Sequence, residues 1–381
     1  MVPRYPEIKT DLALTNTAFG AAVAAYPLGA LLLGLSAGAL IRRFGSARVA
    51  VAATLCTAIG LTLTGAATEW LLLAFALFLA GAMDSITDVA QNSHGLRVQR
   101  LYKRSIINSF HAIWSIGAVT GGAMGAAAAA LGIPLIAHLI ASAVVFSMVA
   151  LLAYRWLLSG PEPRTGAEPA VVGGAAASPL FPSGFRPDAR RFFARYGMLL
   201  ALVLIATGGA IVEDAGSSWS AIYLSDSLGA SAFTAGLGFI ALQGMQFIGR
   251  MLGDPMVDRF GQRSVARFGG TLVLVGMGLA LAFPNTVGTI VGLGVAGFGV
   301  ATLIPSAMQT ADELPGFAPG AGLTIIGWLL RVGFLLSPPL IGAIADVSSL
   351  RIGLLLVPLA GLLVLVVSGV LGNHARREDR A

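Results

Sequence analysis

Long apolar runs recur along this chain, and they constrain its fold more than any other feature. Each run holds about 20 residues with almost no charge, which is the length that a helix needs to cross a bilayer. Only 11% of the residues are charged and 56% are apolar, which excludes an ordinary water-soluble globule. The sequence therefore predicts an all-α polytopic membrane protein with eleven spans, at approximately 17–41, 49–67, 71–92, 106–131, 134–158, 197–224, 234–257, 265–283, 287–311, 320–346 and 352–371.

The spans fall into two groups separated by a polar stretch. Residues 1–158 form a first half with five visible spans, and residues 196–381 form a second half with six. Between them, residues 159–195 are rich in Pro, Gly, Ala and Arg and lack helical periodicity, which is typical of a flexible linker.

Basic residues indicate how the spans are oriented. Of the 24 Lys and Arg residues, 20 lie in the linker, at the C-terminus or in the loops on that same side of the membrane. Cytoplasmic loops carry this excess, so we expect the linker and the C-terminus to be cytoplasmic. The charges are scattered over short loops and form no basic face, so no nucleic-acid partner is expected.

An internal repeat indicates that the two halves are related. The segment Arg42–Arg48 matches Asp258–Arg263. The next loop on that side follows 55 residues after Arg42 and 54 residues after Asp258. In the second half, 61 residues lead from the start of its first span at Gly197 to the repeated segment at Asp258. In the first half, only 41 residues precede the repeated segment at Arg42. The difference is about one transmembrane helix. We therefore expect two six-helix halves, with the first helix missing from this chain.

The loop motif in that repeat resembles a signature of the major facilitator superfamily. The second half carries it as Asp254, Asp258, Arg259, Gly261 and Arg263, whereas the first half has Arg42 where the family has Asp. The resemblance implies the major-facilitator fold and a gating role for the second-half loop.

Three further segments resemble the fucose-permease-like branch of bacterial inner-membrane transporters. They are the acid-x-Ala-x-Asn pattern at 88–92, the segment Phe110–Gly117, and Glu213 followed by Trp219–Leu224. The resemblance implies a multi-pass location in the bacterial cytoplasmic membrane. It does not identify the solute, because one fold hosts many functions.

Asp84, Asp88 and Asn92 are spaced by four residues and so line one helix face. Two carboxylates one turn apart inside a bilayer favour proton uptake. We therefore predict a proton-coupling site with Asp88 as its principal acid and Asn92 available to donate a hydrogen bond or to bind solute. The alternative is that Asp88 lies near the cytoplasmic interface and pairs with a nearby Arg.

A second acidic pair, Glu213 and Asp214, lies about 16 residues into the first span of the second half and is also predicted to take part in proton coupling. A helix break at Gly216–Ser218 would turn it toward a central cavity; the alternative is a helix that ends early. Trp219 is a candidate to stack on a sugar ring, or to belong to an interfacial aromatic belt.

Arg331 lies in the middle of a span, where an unpaired cation is costly. We expect it to face a carboxylate or an anionic solute, and we assign Trp328, one turn earlier, to the same solute site. Gln243, Gln246 and Gln309 are candidates to bind solute hydroxyl groups, although polar residues also join helices.

These features favour a secondary active transporter over an enzyme. Signatures of ATP binding, serine hydrolysis or zinc proteolysis are absent from the sequence, and a single cysteine, Cys56, excludes a cysteine-based metal site. We expect a monomer without cofactor or metal that moves a small polar solute, a sugar among the candidates, with protons. The alternatives are proton-driven efflux of drugs or metabolites, or a truncated membrane protein that does not transport.

Overall fold

The computed structural model describes residues 1–103, 106–158, 189–312, 314 and 321–372. Within these residues, eleven helical segments are long and apolar enough to cross a membrane. The predicted fold class and number of spans are confirmed.

The first half begins with a short helix, α1 (Tyr5–Asp11), and then makes five spans. Its remaining helices are α2 (Asn16–Leu33), α3 (Ala37–Phe44), α4 (Ser46–Gly65), α5 (Trp70–Tyr102), α6 (Ile107–Ala130) and α7 (Leu135–Tyr154). One 3-10 turn joins α2 and α3 into a single span.

The second half makes six spans. Its helices are α8 (Ala189–Ile222), α9 (Ala232–Phe260), α10 (Gln262–Ala282), α11 (Thr286–Val300), α12 (Leu303–Asp312), α13 (Ala321–Val347), α14 (Leu350–Gly353) and α15 (Leu356–Val367). Helices α11 and α12 share one span, as do α14 and α15. Helix α8 begins inside the predicted linker, and residues 159–188 of that linker lie outside the described residues.

The predicted internal repeat is present in the backbone. Gly45 and Gly261 each separate two helices with nearly the same dihedral angles, φ 84° and ψ 148° at Gly45 and φ 79° and ψ 153° at Gly261. An arginine lies over the following phenylalanine ring in both copies, at 5.2 Å for Arg43 and 5.4 Å for Arg259. The two loops are therefore structural equivalents.

The two halves meet at one end of the bundle, which we call the closed end. Helices α2 and α9 begin there, and α2 packs along α13 while α6 packs along α9. Gly20 lies against Pro338 of the other half, and Gly342 lies against Asn16.

The glycine contacts between the halves lie at the closed end, and we call the opposite end the open end. Gly117 on α6 and Gly327 on α13 face open space, and the Gly45 and Gly261 loops lie at this end. The space between the halves is the interhalf gap, and it positions the site described below.

Candidate functional site

The acidic residues of α5 face the interhalf gap. Asp84 and Asp88 are both solvent-exposed, and the Asn92 amide donates to Asp88 Oδ1 at 2.9 Å. The Tyr26 phenol of α2 interacts with the Asp84 carboxylate. The predicted hydrogen bond from Asn92 to Asp88 is present, while proton coupling at these acids and solute binding by Asn92 stay predictions.

Arg331 extends this cluster across the gap to the other half. It is half-buried on α13, and its guanidinium interacts electrostatically with Asp88 of α5. The expectation that this mid-span cation faces a carboxylate or an anionic solute is consistent with that interaction, and its role in solute binding stays a prediction. Opposite charges on the two halves therefore act on each other across the gap.

A second cluster surrounds Glu213 between α8 and α9. The Gln246 amide donates to Glu213 Oε2 at 2.9 Å, and Arg250 Nη2 lies 3.6 Å from the same oxygen. Arg250 lies on α9, ten residues before the helix ends at Phe260. The carboxylate of Glu213 explains that position, because it compensates the charge of an arginine within the span.

Asp214, the neighbour of Glu213, points to a different set of groups. Its Oδ1 accepts a hydrogen bond from Ser218 at 3.3 Å. Its Oδ2 is buried and has no hydrogen-bond partner among the described residues. Asp214 therefore occupies an enclosed position, in contrast to the exposed acids of α5.

Tyr5 lies between the two acidic clusters. Its ring packs on Phe19 at 5.3 Å between centroids, and it lies within electrostatic range of Tyr26 and Asp214. Burial, and then the Asp214 carboxylate, raise the pKa of Tyr5 well above its usual range. The phenol therefore stays neutral and keeps its proton available for a hydrogen bond.

The predicted helix break at Gly216–Ser218 is wrong. Helix α8 continues to Ile222 and is followed by a π-helical turn, Tyr223–Ser227. Gly216 packs against Leu242 of α9, and Ser218 bonds back to Asp214 one turn earlier. These contacts hold the helix together where the sequence alone suggested an interruption.

Trp219 is fully buried, with 0% of its surface exposed. Its ring packs edge-to-face on Phe19 of the first half, at 5.6 Å between centroids. Phe19 in turn packs on Tyr5 at 5.3 Å. In this conformation Trp219 thus joins the halves beneath the closed end and belongs to neither a lipid-facing belt nor the exposed part of the gap.

The other predicted solute-binding residues are spread over the second half. Trp328 is exposed on α13, one turn from Arg331. Gln309 accepts a hydrogen bond from Gln262 at 3.1 Å and lies at the open end, away from the acids. Gln243 is half-buried, while the neighbouring Gln246 makes the contact with Glu213.

The predicted gating loop joins α9 to α10. Asp254, Asp258 and Arg259 are exposed near the end of α9, and Gly261 supplies the positive φ that separates the helices. Arg263 donates to the carbonyl oxygens of Gly369 and Leu371, at 2.6 and 3.1 Å. These bonds attach the loop to the end of the last span.

Sequence reasoning did not find Tyr5 or Tyr26 as parts of this site, and it did not recognise Arg250 as a partner of Glu213. The two tyrosines carry no sequence signal, since their partners lie on other helices. Gln246 and Arg250 are four residues apart and therefore share a helix face. That spacing was a signal in the sequence that the two side chains reach the same partner.

The fold and the site define a class, which is the multi-pass helical transport proteins built from two related halves. The profile described as Major Facilitator Superfamily matches residues 2–242 and 214–380. The chain belongs to the Major Facilitator Superfamily.

Relatives of similar length support this assignment. The chain is 28% identical over 370 residues to a protein from Sinorhizobium fredii named uncharacterized transporter y4wD, covering 97% of this chain and 92% of the relative. It is 26% identical to the membrane protein MosC of Rhizobium meliloti, covering 97% of this chain and 85% of that one.

Solved structures share the fold at low identity. The nucleoside transporter NupG aligns with a TM-score of 0.72 and 14% identity, covering 97% of this chain and 94% of the other. A variant of the E. coli fucose:proton symporter FucP aligns with a TM-score of 0.59 and 16% identity, covering 97% and 95%. The resemblance to fucose permease thus extends to the fold.

Proposed function

We propose that this protein is a proton-coupled secondary transporter that moves a small hydroxylated solute, such as a sugar, across the bacterial cytoplasmic membrane by alternating access. In this arrangement the open end, the linker and the C-terminus lie in the cytoplasm. The described conformation is then inward-open.

One observation carries the proposal, namely that Asp88 of the first half interacts with Arg331 of the second across the gap. When Asp88 binds a proton, its attraction for Arg331 is lost. The equilibrium between inward-open and outward-open states then shifts, because the two states differ in how the halves meet. The carboxylate of Asp84, one turn away, disfavours a negative charge on Asp88 and so promotes proton uptake by Asp88.

The second acidic cluster has a related role in this proposal. Glu213 is already paired with Arg250 and hydrogen-bonded by Gln246, whereas Asp214 has a buried oxygen without a partner among the described residues. A proton on that oxygen would relieve the cost of an incompletely paired buried carboxylate. Asp214 is therefore the second candidate to carry a proton during the cycle.

The class of solute is supported by the polar groups that border the gap and by the fold's neighbours. Carboxylate, amide, phenol and guanidinium groups from both halves offer both donors and acceptors to a solute with several hydroxyl groups. Two structural neighbours are named for hydroxylated solutes, a nucleoside and fucose, and one of them is named as a proton symporter. We extend that class to this chain.

The test is uptake by the full chain reconstituted in liposomes. Radiolabelled hexoses, deoxyhexoses and nucleosides are compared with amino acids and with apolar cations, each with and without an inwardly directed proton gradient. We expect a hydroxylated solute to accumulate only when the gradient is present, and a protonophore to abolish the accumulation. Expulsion of apolar cations would favour the efflux alternative, and an absence of flux for every solute would contradict the proposal.

A further inference from the structure

An aspartate of the second half caps the first long helix of the first half. Asp346, near the end of α13, accepts hydrogen bonds from the backbone N–H groups of Asn16 and Thr17 at 2.9 and 2.8 Å. It also accepts one from the Asn16 side-chain amide at 2.9 Å. These three bonds join residues 330 and 329 positions apart in the chain, at the closed end. We call this contact the Asp346 cap.

Helix α2 depends on this residue because its own cap is incomplete. The first N–H groups of a helix have no partner within the helix. Thr15 accepts a hydrogen bond from Ala18 N, which leaves the N–H groups of Asn16 and Thr17 to be satisfied from elsewhere. A carboxylate is favoured at this position because it also meets the positive end of the helix dipole.

The helices beside the cap are packed too closely to slide past one another. A side chain in place of Gly20 would collide with the backbone of Pro338, and one in place of Gly342 would collide with the backbone of Asn16. Separation of α2 from α13 at the closed end breaks the Asp346 cap, because its donors and its acceptor lie on these two helices.

Another ion pair at this end is a weaker candidate for holding it shut. Lys9 of α1 lies 3.0 Å from Asp226 in the turn after α8, and the Asp226 side chain is 37% exposed. Exposed pairs of this kind contribute little, because each long side chain must be immobilised and solvent screens the charges. The Asp346 cap, with two rigid backbone donors, has no such cost on the donor side.

We propose that Asp346 is the latch of the inward-open state. Its hydrogen bonds form when the closed end is shut and are lost when that end opens, so its strength sets the ratio of the two populations. This inference rests on the alternating-access part of the proposed function. It assigns to Asp346 a conformational role that is separate from proton coupling at Asp88.

The test measures the distance between the halves directly. Spin labels are placed at the exposed closed-end positions Thr68 and Phe283, one in each half, after Cys56→Ala, and pulsed electron spin resonance is recorded on the full chain in lipid nanodiscs without solute. We expect Asp346→Ala to shift the distribution toward longer distances. The ratio of closed to open populations should change roughly tenfold, because the loss of a helix N-cap changes an equilibrium constant by about that factor. Asp346→Asn, which loses the charge, gives a smaller shift.

The matched control is Glu69→Gln. Glu69 is another exposed acid at the closed end, next to the start of α5, and its side chain makes no capping bond. Its replacement leaves the distance distribution unchanged. If Asp346→Ala does not fold, Asn16→Ala removes only one of the three bonds and shifts the distribution in the same direction by less.

An unchanged distribution in Asp346→Ala, or in Asn16→Ala where only that variant folds, would overturn the inference. Because no solute or proton gradient is used, the result is independent of whether the solute class or the coupling acid is right. A protein that changes its distance distribution but transports none of the solutes would keep the latch and contradict the proposed function.

Discussion

At the scale of single residues, the positions that sequence analysis singled out are the charged groups inside spans. A buried or partly buried charge is costly in a membrane unless it is paired, so each such residue implies a partner. The charge of Asp88 acts on Arg331 across the gap, and Glu213 lies 3.6 Å from Arg250. The partner of Arg331 could not be identified from the sequence, because it depends on how two distant helices face each other.

The Asp88–Arg331 pair yields a prediction for Arg331. Arg331→Met removes the charge on which Asp88 acts across the gap and is expected to lower the initial rate of uptake by about tenfold, because protonation of Asp88 then no longer changes the attraction between the halves. Arg331→Lys retains a cation and is expected to lose less. Initial rates in liposomes, normalised to folded protein recovered by gel filtration, check this.

The control for that experiment is Arg100→Met. Arg100 is an exposed arginine in the last turn of α5, so its loss tests whether any removal of positive charge reduces transport. Full activity in both Arg331 variants would leave this residue without a role in transport.

At the scale of elements, the two halves repeat the same arrangement with a fixed offset. The N-cap residues Thr15 and Ser231, the loop glycines Gly45 and Gly261, and the N-cap residues Glu69 and Asn285 are each 216 positions apart. Three successive helices therefore keep one register in both halves. The sequence showed this repeat only at the loop, since the helices share length and apolar character and not residue identity.

The loop glycine is expected to be necessary for its backbone conformation alone. At Gly45, φ is 84° and an added Cβ would meet no atom within 4 Å, so Gly45→Ala introduces strain without a collision. Conformations of this type cost about 1–3 kcal/mol for residues other than glycine. Thermal unfolding in detergent should show a corresponding loss of stability.

A glycine within a helix provides the comparison. Gly197 lies in α8 and also faces open space, so Gly197→Ala is expected to leave stability unchanged or to raise it slightly. An equal effect of the two substitutions would mean that the positive φ at Gly45 is not required.

At the scale of the whole molecule, the halves form a bundle that is joined at one end and separated at the other. Three kinds of contact between the halves lie toward the closed end. They are the packing of Gly20 and Gly342 against the other half, the Asp346 cap, and the packing of Trp219 on Phe19. Hydropathy was sufficient to predict the spans, because length and apolar character decide whether a helix crosses a bilayer. It could not predict the conformation, which depends on contacts between helices from different halves.

The wrong prediction at Gly216–Ser218 has the same cause. Glycine and serine after two acids are typical of an interrupted helix, but Leu242 of α9 packs against Gly216 and keeps α8 continuous. Packing from a neighbouring helix overrides the local propensity of the sequence.

The orientation of the bundle gives a prediction for the entire chain. On a Cys56→Ala background, Thr165→Cys in the linker is expected to react with a membrane-impermeant maleimide only after spheroplasts are permeabilised. Thr68→Cys at the closed end is expected to react in intact spheroplasts, because the excess of basic residues places the linker side in the cytoplasm. The reverse pattern would invert the proposed orientation.

The most direct test of the proposed coupling is a paired transport measurement on Asp88→Asn in liposomes. This variant resembles a permanently protonated Asp88, and it loses the charge that attracts Arg331. We predict that accumulation driven by the proton gradient falls to the level of protein-free liposomes while solute counterflow stays close to that of the wild type, and that Asp84→Asn has a smaller effect. Normal accumulation by Asp88→Asn would contradict this mechanism and move the coupling role to Asp84, Glu213 or Asp214.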